Sequence, residues 1–215
     1  MNNIEDENFT QEEEITNAIL HGVGLGLAIA ALVVLIVFAS FYGNAIYIIS
    51  FTIYGSTLVL LYLSSTLYHG CINSKAKDIF QIFDHSAIYL LIAGSYTPLT
   101  LISLKGALGW TIFGIVWGIA IVGIVFKVFW VKKSIILSTI FYIIMGWIIM
   151  FAIKPLLAAL TTSSIVFLLI GGSLYTLGTI FYVWRKIKYH HAIWHLFVLG
   201  GSVCHFFTIL FLLPK

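Results

Sequence analysis

From residue 17 onward the chain is a succession of apolar runs broken by short polar stretches. They cover approximately 17–40, 45–69, 79–103, 107–128, 134–152, 160–184 and 191–213. Each is close to the ~20 residues that cross a bilayer as an α-helix. The breaks read FYGNA, GCINSKAKD, LKG, the basic KVFWVKK, KPLL and RKIKYHH, and none is long enough for a further domain. The pattern predicts an all-α integral membrane protein, a seven-transmembrane helix bundle forming a single membrane domain over 15–215. No internal repeat is evident. Pro98, in GSYTP, falls inside the third run and should kink that helix or interrupt its hydrogen bonds. Residues 1–14 hold six of the eight acidic residues and no Lys or Arg. They are expected to form an acidic, solvated tail, without the basic n-region of a secretory signal. The entering helix, EITNAILHG, places Glu14, Asn17 and His21 on one side at steps of three and four, a pattern read here as a capping and interfacial cluster.

Composition strengthens the class. Apolar residues are 61% and charged residues 9%, against about 45–50% and about 25% in soluble domains. Charge then sets the expected orientation. Lys75, Lys77, Lys127, Lys132, Lys133, Arg185, Lys186 and Lys188 all fall on the side of the N-terminal tail, and only Lys105, Lys154 and Lys215 on the other. The positive-inside rule therefore predicts a cytoplasmic N-terminus and an external C-terminus in the cell membrane. That is opposite to the topology of G-protein-coupled receptors. A retinal protein is also disfavoured, because the last run has no Lys for a Schiff base.

With the runs oriented, the polar residues can be placed in depth. His191 and His195, four apart at the start of the last run, lie on one helical face and can reach one point, which is metal-ligand spacing as well as the pattern of a polar helix end. His69 ends the second run at the same depth, with Ser65 one turn further in on its face. Asp84 lies one to two turns into the third run and is the one acidic residue placed within the hydrocarbon. Three distant segments thus deliver nitrogen and oxygen groups to one layer, and an intramembrane carboxylate calls for a partner.

Other polar groups fit less well. His85 points about 100° from Asp84 around the helix, His190 reads as interfacial, and His205 lies about 21 Å along the axis from His191, too far to share its metal. Cys71 and Cys204 are expected at different depths and not to pair. Glycines at 22, 24 and 26, or at 114 and 118, are candidates for close helix approach.

EITNAILH near the start, SSTLYH at 64–69, FDHSAIYLLIAGSYTP at 83–98, HAIWH at 191–195 and HF at 205–206 together resemble the hemolysin III family. That family lies within the larger group of progestin and adiponectin receptors, which has been linked to the alkaline ceramidases. The resemblance covers nearly the whole chain. It implies a Zn2+ ion held by His69, His191 and His195, with Asp84 and Ser65 beside it. The chain departs from the animal receptors in having no long soluble N-terminal domain, so their hormone binding is not carried over.

Three imidazoles with an open fourth position form the catalytic type of zinc site, and the implied reaction is hydrolysis of a lipid amide or ester, with Asp84 as base and Ser65 as hydrogen-bond donor. A structural zinc, or Asp84 and Ser65 as packing groups, is the plainer alternative. A pore-forming cytolysin and a regulator of membrane state without turnover are the other functional classes. The expected partner is a membrane lipid or fatty-acyl ligand. No nucleic acid is expected, and homo-oligomers are compatible with the pattern.

Overall fold

The computed structural model describes residues 9–131 and 135–214, and among these there is no strand. Seven helical spans run Gln11–Tyr42, Ala45–Gly70, Ser74–Leu104, Gly106–Trp130, Ile135–Ala159, Thr162–Val183 and His190–Leu210. Long helices are the expected solution for such runs, because in lipid every backbone N–H and C=O must be satisfied within the segment. Short polar side chains start several of them. Asn44 accepts from the Ile46 N–H, Asn73 from that of Ala76 and Thr161 from that of Ser164.

The first span begins earlier than its apolar run. Thr10 and Glu13 form a reciprocal capping box, and Glu12, Glu13 and Glu14 sit in the first turn, where carboxylates complement the helix dipole. The tail expected over 1–14 is therefore helical from Gln11, and residues 1–8 lie outside the described residues.

The spans pack in a ring. The first lies along the second, the second on the third, the third on the fourth, and the sixth on the seventh, which closes against the first. The fifth is held more loosely, touching the third, fourth and sixth. Gly24 sets the approach of the first two spans, since a Cβ there would fall 2.4 Å from the Tyr62 ring, whereas Gly26, Gly114 and Gly118 face open space.

Two spans depart from regular helix. Beyond Pro98 the third span widens into a π-type turn over Leu99–Leu104, consistent with the interruption expected there. The fifth span tightens into a 3-10 turn over Ile148–Ala152 and then continues to Ala159. The Tyr96 hydroxyl bridges this break, donating to the Gly146 carbonyl at 2.8 Å and accepting from the Ile149 N–H at 2.9 Å. Pro155 follows in the first turn of the resumed helix, where a missing N–H costs least.

Candidate metal centre

His69 occupies the last turn of the second span, and His191 and His195 the first two turns of the seventh. Packing of the first and seventh spans brings these two ends together. Ring centroids are 5.0 Å apart for His69–His191, 5.1 Å for His69–His195 and 4.5 Å for His191–His195. Each ring offers one nitrogen lying within 4.8 Å of the other two. All three residues are buried.

The donor set fits a metal by an independent test. His69 Nε2, His191 Nδ1 and His195 Nδ1 are buried without a hydrogen-bond partner, and leaving a buried polar atom unsatisfied costs about 1–3 kcal/mol. Each of the three clustered imidazoles thus carries a buried nitrogen that a cation accepting its lone pair would satisfy. Neutral imidazole is the form that binds a metal.

The surroundings are supplied mostly by the first span. Glu14 Oε2 lies 2.6 Å from His69 Nδ1, and its other oxygen accepts from the Lys77 ammonium. His21 stacks on His195 with centroids 3.5 Å apart and meets the Tyr62 ring edge-on at 5.0 Å. Asn17 is fully buried on the same face. Glu14, Asn17 and His21, read from sequence as an interfacial cluster, thus face the histidines. Their spacing was visible, and what it pointed at was not, because that depends on how the first span docks. Phe9 caps the group from outside, with its ring centroid 4.9 Å from His191 and 5.8 Å from both His69 and His190.

An apolar cavity of about 160 Å³ opens beside the cluster and runs between the third, fifth, sixth and seventh spans as far as His205. Ser65, Asp84 and His85 line its polar end together with His191, His195 and His21. Ser65 is fully buried, and its Oγ has no hydrogen-bond partner. Asp84 is 8% exposed and is not part of the group of mutually close ligand atoms.

Several expectations change at this end of the bundle. His190 is buried rather than interfacial, with Nδ1 3.0 Å from the Phe181 carbonyl. Lys127, counted by its position as a loop charge, is 1% exposed. Asp84 and His85 are both buried and both line the cavity. Cys71 and Cys204 are free thiols, as expected.

Residues 9–206 match the sequence model of the family described as Haemolysin-III related. Among relatives, the Hemolysin-3 homolog of Bacillus subtilis (strain 168) is 58% identical over 207 residues, covering 96% of this chain and 97% of that protein. Hemolysin-3 of Bacillus cereus is 55% identical over 200 residues, 93% and 91% of the two chains. More distantly, the Monocyte to macrophage differentiation factor of Homo sapiens is 30% identical over 166 residues, 73% of this chain and 67% of that one.

Proposed function

The chain belongs to the haemolysin-III related family of multi-span membrane proteins, and we propose that it is a zinc-dependent hydrolase of lipid amide or ester bonds acting at the cytoplasmic side of the cell membrane. The observation that carries this reading is the coincidence of three buried, converging imidazoles with the polar end of an apolar cavity. A purely structural ion needs no such cavity, whereas a hydrolase for acyl lipids needs both a metal and an apolar slot for the chain.

His69, His191 and His195 would hold the zinc. Zinc bound there would bring the pKa of a water from about 15.7 toward about 7 and polarise the scissile carbonyl. Asp84, outside the ligand group but at the same end of the cavity, takes a proton from the attacking water and returns it to the leaving nitrogen or oxygen. Ser65 donates its hydroxyl proton in a hydrogen bond to the carbonyl oxygen as charge develops there. The products are a fatty acid and the free amine or alcohol. The excess of Lys and Arg on the N-terminal side supports the cytoplasmic placement.

The test is fatty-acid release from ceramide, acyl-ester and lysophospholipid substrates by zinc-loaded protein in bilayer discs. Turnover of at least one class, lost in Asp84→Asn with zinc retained, is expected. No product from any of these classes by a fully loaded protein would overturn the hydrolase reading. Because the Bacillus cereus relative is named a hemolysin, erythrocyte leakage with size-graded osmolytes is the companion assay. A sharp size cut-off would favour a pore.

A further inference from the structure

The first span gives no ligand to the three-histidine cluster, yet its opening turns touch both elements that do. Glu14 reaches His69 of the second span at 2.6 Å and Lys77 of the third. Glu13 accepts the Tyr189 N–H at 3.0 Å. Tyr189 stands in the left-handed region, with φ 59°, immediately before the helix that carries His191 and His195. The Asn17 backbone lies against the His195 ring, and Phe9 packs on His69 and His191.

Resting on the metal reading above, we propose that Glu14 is the positioning residue of this metal centre, holding His69 as the Nδ1–H tautomer so that its Nε2 lone pair is aimed at the ion. A neutral imidazole carries one N–H, and an ionised carboxylate can only accept. A contact of 2.6 Å between Nδ1 and Glu14 Oε2 therefore places the proton on Nδ1 and leaves Nε2 bare. Nε2 is the buried His69 atom that has no other partner. Carboxylate–histidine–metal relays of this form fix ring orientation and raise ligand basicity.

Lys77 completes the device. By binding the second carboxylate oxygen it stops Glu14 from rotating away, and it ties the first, second and third spans at the depth of the cluster. His191 and His195 are set differently, by neighbouring positions on one helix and by the stack on His21. His69 is the ligand from a separate helix, and so the one whose aim depends on a partner in trans.

The experiment compares the unchanged full-length protein with Glu14→Gln, Glu14→Asp and Glu12→Gln in detergent. Zinc affinity is measured by competition with a chromophoric chelator, and the visible spectrum is recorded after Co2+ substitution. Glu14→Gln keeps the shape but lets an amide N–H face Nδ1, favouring the wrong tautomer. It should weaken zinc binding 10–100-fold and shift the Co2+ ligand-field bands, while thermal unfolding of the metal-free forms stays close to that of the unchanged protein. Glu14→Asp should recover part of the affinity. Glu12→Gln, whose carboxylate meets Lys188 at the exposed surface, should match the unchanged protein. Zinc affinity and Co2+ spectrum of Glu14→Gln within twofold and unshifted would overturn the proposal. So would a loss of affinity matched by an equal loss of metal-free stability, since that is a structural effect. An unchanged protein that binds neither metal would remove the metal reading and this inference with it.

Discussion

Replacing Gly24 by alanine should damage the site from a distance, through a contact that contains no polar atom. A Cβ at residue 24 would lie 2.4 Å from Tyr62 Cε1 and 2.5 Å from Cδ1, so the ring must retreat by about 1 Å to reach ordinary contact. Tyr62 is fully buried, and its hydroxyl donates to Ser202 Oγ at 2.9 Å. A retreat of that size takes the bond out of hydrogen-bonding range, and it moves the ring on which His21 rests before His21 reaches His195. Overpacking costs about 1–3 kcal/mol and a lost buried hydrogen bond about 0.5–1.5 kcal/mol, so about 2–4 kcal/mol is expected. The control is Gly26→Ala, two residues along the same helix, where a Cβ meets nothing within 4 Å. Gly-to-Ala at an open helical site is neutral or stabilising, by up to about 1 kcal/mol. Equilibrium unfolding in mixed detergent, followed by tryptophan fluorescence, should therefore give the two variants opposite signs. Gly24→Ala within about 0.5 kcal/mol of the unchanged protein would refute the packing described between the first two spans.

Tyr96→Phe removes the hydroxyl that bridges the break in the fifth span, leaving the Gly146 carbonyl and Ile149 N–H to find new partners. It should cost about 2–4 kcal/mol in the same unfolding assay, and a change below about 0.5 kcal/mol would mean that the break is satisfied otherwise. Orientation is tested at Cys71, a half-exposed thiol in the loop after the second span. A membrane-impermeant maleimide should label it in inside-out vesicles and not in intact cells, and the reverse pattern would overturn the cytoplasmic placement of the N-terminus.

The chain itself announces its spans because lipid demands long apolar helices, and seven runs near the right length leave few alternatives. Their ends are less legible. The first helix starts at Gln11 although its apolar run starts later, and the signal was local: Thr10 followed by Glu13 is a capping box that the hydropathy pattern does not weigh. The fifth span outlasts its expected end at residue 152 because Tyr96, a residue of another span, repairs the break.

That His69, His191 and His195 share one layer could be read from depth, since all three stand near the same end of their spans, and their grouping into one set was what the family resemblance implied. What surrounds them could not. Glu14 meets His69 across 55 positions of sequence, and Phe9 and His21 reach the cluster only because the first span docks against the seventh. His190 looked interfacial because it stands at a span boundary, but the left-handed turn at Tyr189 directs it inward to the Phe181 carbonyl.

Elemental analysis of the purified, untagged protein beside His69→Ala, His191→Ala and His195→Ala would decide whether the cluster is a metal centre. About one zinc per chain is expected in the unchanged protein, with loss of that zinc in each variant. A folded protein that holds no zinc after it is supplied, or variants that keep it, would contradict the assignment of these three histidines.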